Sequence, residues 1–430
     1  MAHSIDIPDD TRSLHAIGKS VMAYQARQNA FVSALVNRIA FTIVTSKRWQ
    51  DPWAIFNQGT MELGETVEEI FVNVAKPHSY DPAVAEKEIF KRETPDVRAA
   101  FHTMNYQKFY KVSVSEDQLR AAFVSWSGLT DLVNYIVESL YNGLALDEWL
   151  VKKYMVSRAL LNGDFYAVVH ADIATTPSDA VKKYRQTTND LLLYKTKFNR
   201  AGVRTFTKIE DQIIIVPNDV EAALGVDVLA NAFNLNQVDY IGNRLPIDSF
   251  EFDPEDIERL ALIFEDDPDY VPFTGDEIAK LQKVSAVKID RRWMMNFDIL
   301  DTMRQDQNGQ GLYNLWWLHV WRTFSTSPFA NAVAFTSEAT EITSVTVSPA
   351  TANVAQGTDL ALTAAVDGKG LFEKSVEWSV TGNKKDGTHI NPDNGQLHVA
   401  ADEEASTEIT VTATAVDGQT GTSTVTVVEA

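Results

Sequence analysis

The sequence contains no cysteine, which excludes disulfide bonds and thiolate metal sites as sources of stability. No apolar run approaches the roughly 18 residues that a membrane-spanning helix needs. Residues 1–12 are acidic and lack the apolar core of a secretory signal. These absences indicate a soluble protein that is made in the cytoplasm and has no membrane partner. Its stability is expected to come from packing or from association of subunits.

Positive charge is also scarce, with 38 lysine and arginine residues against 59 aspartate and glutamate residues and a net charge of −21. A surface this acidic cannot bind nucleic acid by neutralising its phosphates, but it can lie beside nucleic acid without adhering to it. Arginine is absent from residues 341–430, where apolar and polar residues alternate between glycine-containing turns. This change in composition predicts two parts, a body (residues 1–338) and a small β-domain (residues 339–430).

The motifs that would indicate an enzyme or a metal site are absent or incomplete. Gly18-Lys19-Ser20 lacks the preceding strand and the first glycine of a phosphate-binding loop. The eight histidines never lie three or four residues apart, as a zinc site on one helix requires, and no G-x-S-x-G nucleophile turn occurs. Asp266, Asp267 and Asp269 lack the glycine and glutamate of a calcium loop. We therefore predict no catalytic, cofactor-binding or metal-binding residues, and a protein that is not an enzyme.

The body is predicted to be α+β. Its strongest helical pattern covers residues 131–161 and stops at Asn162-Gly163. A second helix is predicted over residues 178–199, with Ser178 as its cap. Residues 213–216 form a short buried strand, two short helices follow to about Phe233, and residues 284–297 and 312–335 return to the sheet as strands.

The strand predicted over residues 312–335 is unusually rich in tryptophan. Trp316 lies on one face, and Trp317, His319 and Trp321 lie on the other, because side chains alternate along a strand. Apolar residues on both faces are typical of a central strand that is covered on both sides. A subunit interface or core therefore explains these tryptophans better than a sugar-binding surface does, and His319 is predicted to be a packed histidine.

A long hairpin is predicted from two further strands, at residues 66–74 and 101–114. Ile70, Val72 and Val74 share one face of the first strand. The connection between the two strands is about 26 residues long, which is unusual in a compact domain. A projecting two-stranded arm is unstable alone in water, so it needs a surface to lie on, such as a neighbouring subunit. A mobile surface insertion explains the pattern equally well.

The last ninety residues carry the alternation expected of a β-sandwich, with Trp378 placed to fill its centre. Asp-Gly and Asn-Gly pairs mark the turns. The pattern resembles the bacterial immunoglobulin-like domain of group 2, which implies a sandwich fold but no particular function. The matching segments include residues 345–349, 360–364, 376–380, 394–397 and 409–413.

The body resembles the major capsid protein of small short-tailed phages of the phi-twenty-nine type. Leu63-Gly64-Glu-Thr66 and Phe329-Ala330-Asn331-Ala332 are two of the matching motifs. The matching blocks run in order and comprise residues 29–39, 63–70, 80–81, 90–95, 101–102, 109–110, 122–126, 228–234 and 329–335. A C-terminal immunoglobulin-like domain also occurs in that family, so the order of the two parts matches as well.

The resemblance implies the tailed-phage capsid fold of the Hong Kong phage type. Its parts would be an N-terminal arm (1–60), an extended loop (61–118), peripheral and axial domains (119–338) and a spine helix near residues 131–161. Copies of the chain would form pentamers and hexamers of a virion shell around double-stranded DNA. The implied partners are a scaffolding protein during assembly, a portal protein at one vertex and, through the outward-facing C-terminal domain, the host cell surface.

Two other classes of protein use similar modules. One is a bacterial surface adhesin or glycan-binding protein with an immunoglobulin-like module, although no signal peptide or anchor is recognised here. The other is a carbohydrate-active enzyme, although no plausible pair of catalytic carboxylates is present. If the two parts have separate cores, a chain truncated between Ser337 and Glu341 should still assemble.

Overall fold

The structure is a computed structural model that describes residues 51–75, 77, 95, 97–115, 126–268, 270–392 and 394–429; for residues 126–136 it describes the backbone alone. The described part mixes helices and strands, as predicted. The segments near Gly18 and residues 29–44 lie outside the described residues, as does most of the connection within the predicted hairpin.

Seven α-helices occur in the described part: α1 (Trp126–Asn162), α2 (Pro177–Leu191), α3 (Asn218–Leu224), α4 (Val226–Ala232), α5 (Gln237–Asn243), α6 (Pro254–Ile263) and α7 (Gly275–Leu281). The first eleven strands are β1 (Asn57–Thr60), β2 (Val67–Val72), β3 (Val97–His102), β4 (Tyr106–Ser115), β5 (Tyr166–Val169), β6 (Gln212–Pro217), β7 (Arg244–Ile247), β8 (Val284–Asp290), β9 (Met294–Asn308), β10 (Tyr313–Thr326) and β11 (Ala332–Thr336). The remaining nine are β12 (Glu341–Ser348), β13 (Thr351–Ala355), β14 (Asp359–Ala361), β15 (Thr363–Lys369), β16 (Val376–Thr381), β17 (His389–Ile390), β18 (Gln396–His398), β19 (Glu408–Ala415) and β20 (Thr420–Val428).

Helix α1 connects two cores of the body. Its 37 residues span about 55 Å at 1.5 Å per residue. Leu140 and Leu144 pack in a cluster with Trp316 and Leu318 of β10. Further along the helix, residues such as Leu160 join a second cluster under a different sheet. Because one helix contributes to both clusters, it holds the two sheets of the body in a fixed relation.

The two sheets of the body differ in how they are covered. One has the order β1-β9-β10-β4, and the other has the order β5-β11-β8-β6-β7. In the five-stranded sheet, Ile213 and Ile215 face the cluster beneath α1, whereas Ile214 and Val216 face helices α2 to α5. Every residue of β6 is therefore buried, as predicted for residues 213–216.

The predicted strands at 284–297 and 312–335 each prove to be two strands. β8 and β11 pair with each other in the five-stranded sheet, whereas β9 and β10 pair in the four-stranded sheet. The chain leaves one sheet and enters the other at residues 291–293 and 327–331. Local alternation cannot reveal such a change of sheet, because both halves of each run are apolar and extended.

The second predicted helix is shorter than expected. It covers Pro177–Leu191 and not 178–199, and its cap residue is Thr176 and not Ser178. Proline suits the first helical position because its missing N–H would be unpaired there. The helix ends where the Leu191 carbonyl accepts a hydrogen bond from the Thr207 N–H at 2.8 Å. The following chain turns back, and the Phe198 carbonyl binds the N–H of Ala332 at 2.7 Å.

The segment before the hairpin belongs to the body core. Trp53 and Phe56 are fully buried, and the indole Nε1 of Trp53 donates to the Pro246 carbonyl at 3.1 Å. β1 then pairs in parallel with β9. The last residues of the predicted N-terminal arm (1–60) are thus integrated into the fold, because two aromatic side chains anchor them.

The C-terminal β-region (residues 341–428) pairs its strands only among themselves within the described chain. The sheets have the orders β12-β15, β13-β20-β19-β16 and β14-β18-β17. The larger of their two apolar clusters contains Trp378, Leu397 and Ile409, so Trp378 is part of the centre as predicted.

One residue of this region departs from the expectation of separate cores. Leu371, in the loop between β15 and β16, is 3% exposed and belongs to the body cluster under α1. A loop of the C-terminal β-region therefore completes the core of the body.

Candidate assembly surfaces

The hairpin of β2 and β3 presents an apolar face to solvent. In the antiparallel register, Ile70 lies opposite Ala99, Val72 opposite Val97 and Glu68 opposite Phe101. Ile70 is 59% exposed and Phe101 is 64% exposed. Contiguous exposed apolar side chains on a sheet are rare in monomeric proteins and mark sites of association. Ile70 and Val72 share one face of β2, as predicted, and that face is exposed. β2 ends at Val72, so Val74, which was predicted to lie on the same face, follows the strand.

The opposite face of the hairpin is fastened to the body by polar and aromatic contacts. The Phe71 ring stacks on Phe329 with 5.5 Å between ring centres. The Ser327 hydroxyl donates to Glu69 Oε1 at 2.8 Å. His102, which is 1% exposed, lies 2.7 Å from the Ser325 hydroxyl and 3.4 Å from Glu69 Oε2. The base of the hairpin is therefore held in place while its outer face stays open.

The strand predicted at 101–114 divides at Asn105, which corrects the expected hairpin. The Asn105 side chain accepts from the Phe324 N–H at 2.9 Å and donates to the Phe324 carbonyl at 2.7 Å. This amide replaces one rung of the sheet, so the chain bends between β3 and β4. β3 remains in the projecting hairpin, whereas β4 pairs with β10 in the body. The sequence signal for this bend is the break in alternation between Phe101 and Tyr106, where Asn105 lies.

The four-stranded sheet has one covered face and one open face. Trp316, Leu318 and Val320 are buried beneath α1. On the other face Trp317, His319 and Trp321 are half-buried, and the neighbouring Phe109 of β4 is 59% exposed. The prediction of a central strand is confirmed, since β10 lies between β9 and β4. Covering of both faces is not seen within the described residues, which makes the open face a second candidate assembly surface.

Arg322 connects this sheet to α1 through three carboxylates. Its guanidinium, 6% exposed, lies 2.9 Å from Glu148 of α1, 2.9 Å from Asp298 and 2.8 Å from Asp301 of β9. Burial lowers the pKa of Arg322, but these carboxylates raise it by more. Burial raises the pKa of Glu148 even though Arg322 opposes that change. Arg322 and the three carboxylates thus form a charged cluster where the four-stranded sheet meets α1.

The C-terminal β-region meets the body at the end of α1. Gly163 has φ +83°, and a Cβ atom built there would lie 2.2 Å from the Phe372 carbonyl oxygen. Only glycine permits this close approach of two backbones. The predicted stop at Asn162-Gly163 is confirmed, and the same glycine also admits the loop that carries Leu371.

No cofactor or catalytic residues were predicted, and the described chain contains no group of three or more His, Asp or Glu side chains arranged to hold a metal ion. Among the described helices, none has the length and apolar character needed to cross a membrane.

Comparison with known sequences identifies relatives across most of the chain. A family model described as Phi29-like phage major capsid protein matches residues 8–336. The major capsid protein of Bacillus phage PZA is 36% identical over 408 residues, which cover 93% of this chain and 83% of that protein. The corresponding protein of Bacillus phage B103 is 35% identical over 406 residues with the same coverage. Alignments of this extent must continue beyond residue 336 into the C-terminal β-region.

Comparison with solved structures agrees at the level of the fold. A chain in the capsid structure of Staphylococcus phage Andhra superposes with a TM-score of 0.50 at 15% identity, covering 65% of this chain and 82% of that chain. The structure therefore shares the fold of phage capsid proteins.

Proposed function

The chain belongs to the Phi29-like phage major capsid protein family, and from this premise we propose how its copies assemble. It is a structural protein of the virion shell and not an enzyme. The open questions are which surfaces bring copies together, what else they contact, and which way the C-terminal β-region faces.

We propose that the outer face of the β2–β3 hairpin lies on a neighbouring copy within pentamers and hexamers. The observation that carries this proposal is the exposed apolar row of Ile70, Val72 and Phe101 on a hairpin whose base is fastened. Covering such side chains contributes about 25 cal/mol per Å² of apolar area removed from water. The open face of the four-stranded sheet is the surface on which we place the hairpin, because it carries Trp317, Trp321 and Phe109. Lys111 and Arg304 lie beside Trp317 on this face, so it offers polar as well as apolar contacts.

The acidic charge supports the proposal that the shell surrounds double-stranded DNA without binding its sequence. With a net charge of −21, most of the chain's surface repels phosphate. A scaffolding protein would guide the curvature during assembly, and a portal protein would occupy one vertex. These two partners are implied by the family and not by a particular surface of this chain.

The C-terminal β-region is proposed to be an immunoglobulin-like domain of group 2 that faces outward, with its boundary near residue 339. Its internal strand pairing and its own cluster around Trp378 support a separate module. Helix α1 is proposed to serve as the spine of a shell domain (1–338) divided into an arm, an extended loop and peripheral and axial domains. An outward module leaves the interior free for DNA and could touch the host surface.

The hairpin contact is tested by the double variant Ile70→Ser and Val72→Ser. Both side chains are exposed in the single chain, so the variant should fold normally but form few or no shells. The variant is expressed with a candidate scaffolding protein, and particles are counted by electron microscopy; circular dichroism checks the fold.

Val428→Ser provides the matched control, because Val428 is an exposed valine in the last strand of the C-terminal β-region. It should assemble like the unmodified chain. Normal yields of shells from the hairpin variant would rule out the proposed contact while leaving the family assignment intact.

A further inference from the structure

Two histidines that lie nine positions apart in the sequence are direct neighbours on the surface of the C-terminal β-region. His389 of β17 lies opposite His398 of β18, and the next pair, Ile390 and Leu397, points into the core. The two imidazole rings therefore share the solvent-facing side, and their centres are 5.4 Å apart. Asp359 of β14 lies opposite His398 on the other side. Three polar side chains thus form one row across three strands.

In both rings the hydrogen bonds leave the lone pair on Nε2. Nδ1 of His389 lies 2.8 Å from the Gly387 carbonyl oxygen, which can only accept, so Nδ1 carries the proton. Nδ1 of His398 lies 2.6 Å from Asp359 Oδ1, a carboxylate oxygen that likewise accepts. In each neutral ring Nε2 is then the unprotonated nitrogen. Histidines that bind metals show this arrangement, with the other ring nitrogen donating to a carboxylate or a backbone carbonyl.

We propose that Nε2 of His389 and Nε2 of His398 together bind one divalent transition-metal ion of the zinc, nickel or copper type. Imidazole nitrogen suits these ions, whereas calcium and magnesium prefer oxygen ligands. With metal–nitrogen bonds of about 2.0–2.1 Å and a tetrahedral angle, two rings bound through Nε2 have centres about 5 Å apart. The observed separation of the ring centres, 5.4 Å, is close to this value.

The proposed site has two protein ligands and an ordering residue. Asp359 orients His398 and does not bind the metal itself; its Oδ2 also accepts from the Gln396 amide at 3.3 Å. The remaining positions around a tetrahedral ion stay open to water or to a ligand from another molecule. Such a two-histidine site agrees with the absence of any three-ligand group among the described residues. The two histidines meet across neighbouring strands, so no helical spacing marks the pair in the sequence.

The test is calorimetric titration of the full-length protein, without a histidine tag, with zinc chloride alone. The unmodified chain should bind one zinc ion per chain at this site. His389→Gln and His398→Gln should each abolish that binding, and the two together should lose no more than either alone. Asp359→Asn should weaken binding by about tenfold, the usual cost of removing an orienting partner. Copper bound to the unmodified chain should show two nitrogen ligands by electron paramagnetic resonance.

His319→Gln is the matched control, since His319 also lies on a strand but faces Phe109 and Thr302 and no second histidine. It should leave zinc binding unchanged. Unchanged melting temperatures verify that the exposed substitutions preserve the fold. Equal zinc affinity in His389→Gln and the unmodified chain, or no stoichiometric binding by the unmodified chain, would overturn the proposal.

Discussion

Lys288 is a fully buried amine in the middle of the five-stranded sheet. Its Nζ donates to the Thr188 hydroxyl at 2.7 Å and lies 4.6 Å from the centre of the Phe233 ring. Burial lowers the pKa of Lys288 well below its ordinary value. The Thr188 hydroxyl in turn donates to the Tyr184 carbonyl at 2.9 Å, so it keeps a partner whether or not the amine is present. The lysine is therefore a source of instability that the chain tolerates.

Replacing this lysine with methionine, Lys288→Met, should stabilise the protein by about 1–3 kcal/mol, since well-packed apolar residues often replace buried charges at a gain. The pKa of the amine is lower in the folded chain than in the unfolded chain, so unfolding takes up a proton below pH 10 or so. The unmodified chain thus loses stability as the pH falls toward neutrality, and the gain from methionine should be larger at pH 7 than at pH 9. Urea unfolding of both chains at pH 7 and pH 9 measures this difference in the free energy of unfolding.

Lys182→Met, at an exposed lysine of α2, is the control and should change the free energy of unfolding by less than about 0.5 kcal/mol at either pH. A destabilised Lys288→Met variant would mean that the amine contributes more through its two contacts than it costs by being buried.

At the scale of elements, ionic contacts join α1 to strands β9 and β10. Arg322 of β10 contacts Glu148 of α1 and both Asp298 and Asp301 of β9. Because one guanidinium faces three carboxylates, removing it leaves negative charges that repel one another. Loss of the guanidinium should therefore weaken the packing of α1 on the four-stranded sheet.

Arg322→Met should destabilise the chain by about 1–3 kcal/mol at pH 8, since Glu148 loses its partner in a mostly buried position, whereas solvent partly screens the more exposed Asp298 and Asp301. Burial raises the pKa of Glu148 already, and loss of the arginine raises it further. A carboxyl whose pKa is higher in the folded chain destabilises it at high pH, and that cost disappears as the pH falls through the pKa. The loss of unfolding free energy in Arg322→Met, relative to the unmodified chain, should therefore be smaller at pH 5 than at pH 8. Chemical unfolding at both pH values measures this loss.

The exposed Arg204 supplies the comparison, and Arg204→Met should show neither the deficit nor its pH dependence. If Arg322→Met and Arg204→Met have the same free energy of unfolding at pH 8, solvent screens the repulsion between the carboxylates around Arg322. The cluster then does not stabilise the packing of α1.

At the scale of the whole molecule, the body and the C-terminal β-region are joined by an apolar contact. Leu371 extends from the β-region into the cluster beneath α1, and the close approach at Gly163 admits its loop. The β-region therefore contacts the body at a defined position. That a chain truncated between Ser337 and Glu341 still assembles stays a prediction, but its core would lack the side chain of Leu371.

A chain truncated after Ser337 should be less stable than the body within the full chain, because the place of Leu371 is left empty. Leu371→Ala in the full chain should reproduce about 2–4 kcal/mol of this loss, the usual cost of a buried leucine. Hydrogen exchange should show the loss in the body strands β5 and β11.

Leu362→Ala is the counterpart, since Leu362 is equally buried but lies in the cluster of the β-region itself. It should accelerate exchange in β19 and leave β5 and β11 unchanged. Identical exchange in β5 and β11 for the unmodified and Leu371→Ala chains would show that the two cores are independent, as the sequence first suggested.

Periodicity along the chain was enough to predict the mixed character of the body, the buried strand at residues 213–216, the shared face of Ile70 and Val72, and the central place of Trp378. These features follow from the period of side chains along a helix or strand, which is a local property of the backbone. Family resemblance added the capsid assignment, which the relatives support across most of the chain.

Packing of distant segments set which strands share a sheet, where the chain bends at Asn105, how Leu371 joins the body and that His389 faces His398. Each of these depends on partners distant along the chain, such as Phe324 for Asn105. Periodicity states which side of an element is apolar, but it does not state what that side meets. That choice is made when the elements pack, because long-range contacts determine which of many compatible pairings buries the most surface with its polar groups paired.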